Sequence, residues 1–426
     1  MRPRTWVLVL AALFAVLQLA NVTGRDTPDT KNYLSYALSL RGESKREAAT
    51  VTIDYYCASQ GDTARRDQSV NVLNFHGKDP AARVAKKCRA AQWRVVDAQL
   101  RAGNSGGFIT PFMPERFMRI FEVRPGYPVF LVPFVTLLGP AWGLWTSSVV
   151  LTIAGGILVF LILRTLSVSV PLALTGQALY YVLPCGTTAM RPMTEGLMMA
   201  LTLAAVWGCA LVSTGRRTRA GLALVGGSLL LLFTVKHSQA LFLGLCLAGA
   251  GALAAVRQRR RAWVVVAALG TAAAVGTLLL AGLLHYPSQT DSLQDLLTDH
   301  YARPDRARLW PEFLHLEADF WLEWTRQQLW QPVLAAALGA GAWGASRRPV
   351  FGVFLIGAAS TGILTQAAHP DISVWGGRLI VLVWLLPVVG VPLLLESVVR
   401  GKAAVAAPVP TAVPGQGIGE QAHAAR

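Results

Sequence analysis

Charged side chains are scarce in this sequence. Asp, Glu, Lys and Arg together make up 15% of its 426 residues, whereas hydrophobic residues make up 53%. Soluble globular domains carry about 25% charged residues, so this scarcity argues against an ordinary soluble protein. Several uncharged runs approach the roughly 20 apolar residues that a helix needs to cross a bilayer. We therefore predict an all-α polytopic membrane protein.

Acidic residues are the scarcer charge type, with 23 Asp and Glu against 39 Lys and Arg, which gives a formal net charge of +16. Such an excess can indicate nucleic-acid binding. Many of the basic residues, however, lie in short clusters between apolar runs, as cytoplasmic loops do under the positive-inside rule. This placement predicts a lipid bilayer as partner and no nucleic acid. The clusters are Arg216, Arg217 and Arg219; Arg257, Arg259, Arg260 and Arg261; Arg347 and Arg348; and Arg400 and Lys402.

Cysteine is also rare, and five cysteines in a chain of this length exclude a disulfide scaffold. Cys185, Cys209 and Cys246 fall inside apolar runs and are expected to be small buried residues. Cys57 and Cys88 lie in the long polar segment after the first apolar run. If that segment faces the oxidising extracytoplasmic side, these two form a disulfide candidate; if it does not, they stay free.

The order of apolar runs and basic clusters predicts a topology. The first run, "MRPRTWVLVLAALFAVLQLANV", is either a cleaved signal peptide or, given the spans that follow, a retained anchor. With all basic clusters inside, the run at 128–138 does not cross; at about 11 residues it is short enough to be re-entrant or interfacial. Ten crossing helices result, with both termini cytoplasmic. After the first, they lie near 141–163, 169–187, 193–213, 219–235, 238–256, 262–285, 328–346, 349–368 and 377–397.

This topology predicts a transmembrane domain over residues 1–402 and a disordered cytoplasmic tail over 403–426. Three polar loops face outward together, at 22–127, 286–327 and 369–376. The first loop holds two amphipathic patterns, "NYLSYALSL" and a longer basic stretch that ends at Gly103. The Trp-rich and Phe-rich second loop predicts an interfacial helix.

Strongly polar residues at the outer ends of the predicted spans are the candidates for chemistry, because such residues are costly in a membrane and tend to be paired or used. Each also has a simpler role, such as a helix cap for Asp26 and Asp29 or a headgroup anchor for Arg124. Together they predict one pocket at the outer surface. They are Asp26, Asp29, Arg124, Arg191, Glu195, Lys236, His237, His369, Asp371 and Arg378.

Four short motifs resemble the GT-C superfamily of integral-membrane glycosyltransferases, especially its actinobacterial protein- and lipid-mannosyltransferase-like members. They are Asp29-x-x-x-Tyr33-x-x-x-Ala37-x-x-Leu40, "RPGYPVFLVPFVTLLG" from Arg124, "RPMTEGLMMAL" from Arg191, and "WGGRLIVLVWLLP" around Arg378. The resemblance covers most of residues 1–400. The chain departs from the family where an adjacent acidic pair is usual, since Thr27 and Pro28 separate Asp26 from Asp29.

The resemblance implies sugar transfer from a polyprenyl-phosphate donor to an acceptor hydroxyl on a protein, lipid or glycan at the extracytoplasmic face of the cell membrane. The catalytic base would be Asp29 or, second, Asp26. Whether a divalent metal takes part stays open. The donor phosphate would be bound by Arg124, Arg191, Lys236 and Arg378, with support from Tyr33, Glu195, His237, His369 and Asp371. The alternatives are a transporter or lipid-sugar flippase, and a glycan polymerase or ligase.

Overall fold

The computed structural model describes residues 3–371 and 378–406, with side chains up to residue 400. Within these ranges the chain is helical and contains no strand. Short 3-10 helices lie at Leu19–Asn21 and Leu379–Trp384. The α-helices are α1 (Pro3–Gln18), α2 (Pro28–Leu40), α3 (Lys45–Ser69), α4 (Ala81–Arg101), α5 (Glu115–Glu122), α6 (Gly126–Thr165), α7 (Val170–Val182), α8 (Pro184–Ala189), α9 (Thr194–Ser213), α10 (Thr218–Gln258), α11 (Arg261–Leu283), α12 (Gln289–Leu297), α13 (Leu309–Trp330), α14 (Val333–Ser346), α15 (Pro349–Ala367) and α16 (Leu385–Ala406).

The fold is that of an all-α polytopic membrane protein. In the described part of the chain, seven helical segments are long and apolar enough to cross a membrane: Pro3–Asn21, Gly126–Thr165, Thr194–Ser213, Thr218–Gln258, Arg261–Leu283, Pro349–Ala367 and Leu379–Arg400. Several of them keep large apolar side chains exposed, for example Leu137 and Leu279. Such surfaces are stable against lipid and costly in water.

The seven segments contain eight of the ten predicted crossings, and the other two predicted crossings fall on shorter helices. The predicted spans 219–235 and 238–256 both lie in α10. The predicted span 169–187 is divided between α7 and α8 at Leu183, and the predicted span 328–346 begins in α13 and continues in the 14-residue α14. Helices of 13 or 14 residues rise about 20 Å, which is short of the roughly 30 Å hydrocarbon core.

Helix α10 contains a break that the sequence predicted as a boundary between two spans. Its 41 residues would extend about 60 Å as a straight helix, twice the bilayer core. The backbone of Lys236 leaves helical geometry, with φ −159° and ψ 91°. After the break, Gly244 packs against Gly270 and Gly251 packs against Ala267, so this half runs antiparallel to α11. Before the break, Gly226 lies beside Leu269 and Phe233 stacks on Tyr286, so the first half runs parallel to α11. The chain therefore reverses at Lys236.

Helix α6 also breaks, at Gly139, where φ is +73° and the next residue is Pro140. A positive φ favours glycine, and proline lacks the N–H that a continuous helix needs. The break separates residues 126–138 from the long apolar helix that follows. This is the short run that the sequence predicted to be distinct from the crossing helix.

The first polar segment (residues 22–127) folds into helices α2 to α5. Both predicted amphipathic stretches are helical, as α2 and α4, and α4 ends two residues before Gly103, whose φ is +88°. Helix α3 begins with a capping box formed by Ser44 and Glu47. A disulfide joins Cys57 of α3 to Cys88 of α4. Helices α3 and α4 thus form a covalently closed hairpin, and α3 packs on α2.

Basic residues gather at the end of the bundle opposite this polar segment. Arg400 donates hydrogen bonds to Glu396 Oε1 and to the carbonyl of Ser167, and Arg348 donates to the carbonyl of Leu166 at 3.4 Å. Arg378 lies about 30 Å away, at the other end of the last helical segment. The fold therefore separates basic loops at one end from the polar segment at the other. Most of the predicted loop 369–376 and tail 403–426 lies outside the described residues, although α16 continues through Ala406.

Candidate active site

A pocket of about 480 Å³ lies at the end of the bundle that carries the first polar segment. Its walls come from α2, α5, the start of α9, the break in α10, α12 and the residues that flank the undescribed stretch 372–377. Eight of the predicted site residues line it: Asp29, Arg124, Glu195, Lys236, His237, His369, Asp371 and Arg378. Three further ionisable residues in its lining are Lys31, Asp295 and His300.

A network of ion pairs crosses the pocket. Arg378 contacts Asp29 Oδ2 through Nη2, and its Nε donates to Glu195 Oε1 at 3.3 Å. Glu195 Oε1 also lies 3.7 Å from Lys236 Nζ. The Glu195 side chain is 1% exposed, so its charge depends on these two cations for compensation. The network joins four segments that are far apart in the chain.

Local sequence places Asp29 at the start of α2. Thr27 is the N-cap residue, and its backbone N–H donates to Thr30 Oγ1 at 2.9 Å. Pro28 occupies the first helical position, where a missing N–H has no cost. Asp29 lies in the first turn, near the positive end of the helix dipole. Capping is therefore the work of the two threonines, and the Asp29 carboxylate faces the pocket.

Glu195 and Lys236 are positioned by helix ends as well. Glu195 lies in the first turn of α9, and Thr194 Oγ1 donates to its Oε2 at 3.1 Å. Lys236 is the non-helical residue of α10 and is 7% exposed. Each therefore brings its charge to the same level of the bundle from a different helix. The cations that pair with Glu195 are Lys236 and Arg378, and not Arg191, which precedes it by four residues in the sequence.

Arg124 is a cation of the pocket without a carboxylate partner among the described residues. Within the described residues no carboxylate lies within 4 Å of it, whereas Lys236 and Arg378 both have one. Its Nε is buried and has no hydrogen-bond partner. An unpaired, partly buried guanidinium favours an anionic ligand.

Three of the predicted site residues lie outside the pocket lining. Arg191 is exposed. Tyr33 is 1% exposed, and its ring packs edge-on against Phe121 and Tyr127, so it supports α2 from within the core. Burial raises the pKa of Tyr33 to about 12, which suits a neutral packing residue.

Asp26 also lies outside the lining and holds the polar segment together. Its Oδ1 accepts a hydrogen bond from Tyr55 Oη at 2.7 Å, and its Oδ2 accepts one from Ser59 Oγ. Burial raises the pKa of Asp26, although both hydrogen bonds act in the opposite direction. Both carboxylate oxygens are occupied by α3 side chains. The geometry thus favours Asp29 over Asp26 for chemistry in the pocket.

Sequence reasoning missed Asp295 and His300. His300 Nδ1 lies 3.1 Å from Asp295 Oδ1, and this hydrogen bond raises the pKa of His300. Asp299, His300 and Tyr301 all have positive φ, between 53° and 61°, a conformation that side chains rarely adopt. Their position in the second polar loop was visible, but nothing in the sequence distinguished them from its other charged residues.

Lys31 was missed as well. Its Nζ donates to Gln92 Oε1 of α4 at 3.1 Å, and it lies over the ring of Phe112. Burial lowers the pKa of Lys31 to about 8. The signal for it was weak, since a lysine on an amphipathic helix is usually a solvated residue.

A metal site does not emerge from the part of the chain that the structure describes. In residues 3–371 and 378–400, no group of three or more His, Cys, Asp or Glu side chains is arranged to hold an ion. Asp29 is instead compensated by an arginine. The carboxylates of Asp29 and Glu195 in the described pocket are thus paired with cations of the protein.

Comparison of the chain with family models, curated proteins and solved structures found no match. Its function is therefore inferred from the pocket itself.

Proposed function

We propose that this protein is a membrane glycosyltransferase of the GT-C type, which moves a sugar from a polyprenyl-phosphate donor to an acceptor hydroxyl at the extracytoplasmic face. The observation that supports the proposal is that one pocket contains, among the described residues, both a carboxylate and an unpaired cation. Asp29 offers a carboxylate, and Arg124 offers a guanidinium without a carboxylate partner. Transfer from a lipid phosphate needs a base and a cation of this kind.

Asp29 is suited to act as the base. Arg378 engages its Oδ2, and no hydrogen bond to Oδ1 occurs within the described residues. In the proposed reaction the acceptor oxygen attacks the anomeric carbon while its proton passes to Oδ1 of Asp29. The bond between the anomeric carbon and the phosphate oxygen breaks, and the phosphate leaves with the bonding electrons. Arg378 keeps the carboxylate oriented throughout.

Arg124 is suited to receive the departing phosphate. A lipid monophosphate gains negative charge as the sugar leaves, and a cation at that position stabilises the transition state more than the ground state. Lys236 and Arg378 are shared with Glu195 and contribute a weaker field. Arg191 is exposed and outside the lining, so we assign it no contact with the phosphate.

The polyprenyl chain requires an apolar path next to the charged pocket. Phe117, Ile120 and Phe242 line the pocket itself. Beside it, the short helical part of α6 before Gly139 exposes Val129 and Leu137. These side chains form an apolar surface that a lipid tail can follow from the bilayer to the charged residues.

The separation of charge along the bundle supports the proposed orientation. Short basic loops are retained on the cytoplasmic side, and the basic clusters lie at the end opposite the pocket. On this basis we propose that the pocket lies outside and both termini lie inside. The proposal uses ten crossings, in which α10 is counted as two, α7 and α8 together as one, and the span at 328–346 as one. The disulfide between Cys57 and Cys88 fits the oxidising compartment that this orientation requires.

The decisive experiment is an in vitro assay of the purified protein with a panel of polyprenyl-phosphate sugars and with peptide, lipid and glycan acceptors. We expect transfer from at least one donor, and a loss of about 10²–10⁴-fold in kcat for Asp29→Asn because the base is removed. Asp67→Asn is the matched control, since Asp67 is exposed on α3 and outside the pocket lining. Full activity of Asp29→Asn would refute the assignment. Movement of lipid-linked sugar across vesicles without transfer would indicate a flippase instead.

A further inference from the structure

Asn32 lies one helical turn after Asp29 and lines the same pocket. Residues three apart on a helix share a face, with about 5–6 Å between their Cβ atoms. Asn32 is 2% exposed, so its amide is removed from bulk water. Helix α2 therefore presents a carboxylate and an amide side by side, about one pyranose ring apart.

None of the described residues uses the polar atoms of the Asn32 amide. Its Oδ1 is buried without a hydrogen-bond partner, and within the described residues its Nδ2 donates no hydrogen bond. Two other buried polar residues of α2 are satisfied: Thr30 Oγ1 donates to the carbonyl of Pro192 at 3.1 Å, and Ser35 Oγ donates to the carbonyl of Asn32 at 3.1 Å. Tyr33 Oη and Ser39 Oγ of α2 are also buried without a partner in the described chain, but neither residue lines the pocket. An unpartnered buried amide is uncommon in proteins and calls for a partner from outside the chain.

Two more unpartnered atoms belong to the lining of this pocket, Arg124 Nε and His237 Nδ1. Arg124 carries the charge that fits a phosphate. The Asn32 amide is neutral and carries both a donor and an acceptor. That combination matches a hydroxyl group, which also donates and accepts. A ligand with a phosphate at one end and hydroxyls on a ring would satisfy these groups together.

We propose that Asn32 binds a ring hydroxyl of the donor sugar and thereby determines which sugars the enzyme accepts. This inference rests on the function proposed above. Sites built to hydrogen-bond a hydroxyl strongly reject analogues that lack it, because the buried polar group is then left unpaired. Asn32 is therefore a specificity-determining residue, while Asp29 remains the catalytic one.

The test compares Asn32→Leu with the wild type on a parent donor and on monodeoxy analogues of its sugar ring. Leucine has nearly the same shape and offers no hydrogen bond. We expect the variant to lose about 10–100-fold in kcat/KM on the parent donor, with most of the loss in KM. On one deoxy analogue we expect wild type and variant to agree within about threefold, because that analogue lacks the partner hydroxyl.

Folding of the variant is checked by its unfolding temperature in detergent. Since the amide has no partner in the described chain, Asn32→Leu should unfold at or above the wild-type temperature. Asn32→Ser is a second variant that keeps a hydroxyl in the pocket and should retain part of the sugar discrimination. Asn74→Leu is the matched control, because Asn74 is exposed between α3 and α4.

The outcomes separate the two proposals. If the wild type is active and Asn32→Leu loses the same factor in kcat/KM on every donor, or loses none, the role of Asn32 is refuted. The proposed function is not affected by that result. A wild type that transfers sugar from no donor overturns both. Loss of discrimination confined to one ring position supports the inference and identifies the hydroxyl.

Discussion

Replacement of Glu195 by Gln tests the ion-pair network directly and does not depend on any assumed activity. Glu195 Oε1 lies 3.7 Å from Lys236 Nζ and 3.3 Å from Arg378 Nε. At an effective dielectric constant of about 20, unit charges at such distances attract each other with about 4–5 kcal/mol. Arg378 keeps its ion pair with Asp29 when Glu195 is neutralised, whereas Lys236 has no other carboxylate within 4 Å among the described residues. The substitution therefore leaves mainly the charge of Lys236 uncompensated.

We expect Glu195→Gln to lower the free energy of unfolding by about 3–5 kcal/mol, the range for breaking a buried pair and leaving one charge uncompensated. The measurement is equilibrium denaturation of the purified protein in mixed detergent micelles, with helix content as the signal. Glu115→Gln is the matched control, because Glu115 is exposed on α5, and it should change stability by less than about 0.5 kcal/mol.

A double variant identifies the charge responsible. Adding Lys236→Met to Glu195→Gln removes the cation that Glu195→Gln left uncompensated. The double variant should therefore be more stable than Glu195→Gln alone. A Glu195→Gln protein as stable as the Glu115→Gln control would refute the reasoning. If the effects of the two single substitutions on the free energy of unfolding simply add in the double variant, Glu195 and Lys236 act independently.

Three other outcomes follow from the geometry. Arg124→Ala should reduce kcat/KM for the donor by about 10–100-fold, because the charged hydrogen bonds to the phosphate are lost. Arg83→Ala is the control, since Arg83 is exposed, and it should leave kcat/KM unchanged. A steady-state kinetic assay of both variants makes the comparison. Replacing Cys57 and Cys88 by serine should destabilise the first polar segment by about 3–4 kcal/mol, because the disulfide closes a loop with a sequence separation of 31. Limited proteolysis of that segment should become faster, and an unchanged rate of proteolysis would contradict the prediction. Asp26→Asn should retain activity and gain stability relative to the wild type as the pH rises above about 4. The reason is that a carboxyl whose pKa is raised by burial stabilises the fold at low pH and loses that contribution as the pH passes through its folded pKa. Denaturation measured across pH reports the difference, whereas loss of activity would favour Asp26 as the base.

The sequence predicted the helical membrane class from composition, since apolar runs that are too long for a soluble core have few alternatives to spanning a bilayer. It also predicted the boundaries at Gly139 and near Lys236, where a glycine–proline pair and a buried lysine interrupt apolar runs. It did not predict the shortening of α7 and α14. Helix length there depends on packing against neighbours, which hydropathy does not encode.

The candidate site was predicted in part for a similar reason. Ionisable residues at helix ends are conspicuous in an apolar chain, so Asp29, Glu195 and Arg378 were found without knowing their contacts. Asp295 and His300 were not, because a polar loop contains many charged residues and only the folded loop shows which of them turn inward.

By itself, the sequence determined that this chain is a helical membrane protein with polar residues concentrated at the ends of its helices, because burial of apolar surface and the cost of charge in lipid act on local composition. Tertiary structure decided which charges meet. Arg378 pairs with Asp29 across 349 residues and with Glu195 across 183. It also decided that Asp26 is bound to α3 while Asp29 faces the pocket, and that the Asn32 amide has no partner among the described residues. Such pairings depend on how helices pack in three dimensions, and no local pattern specifies them.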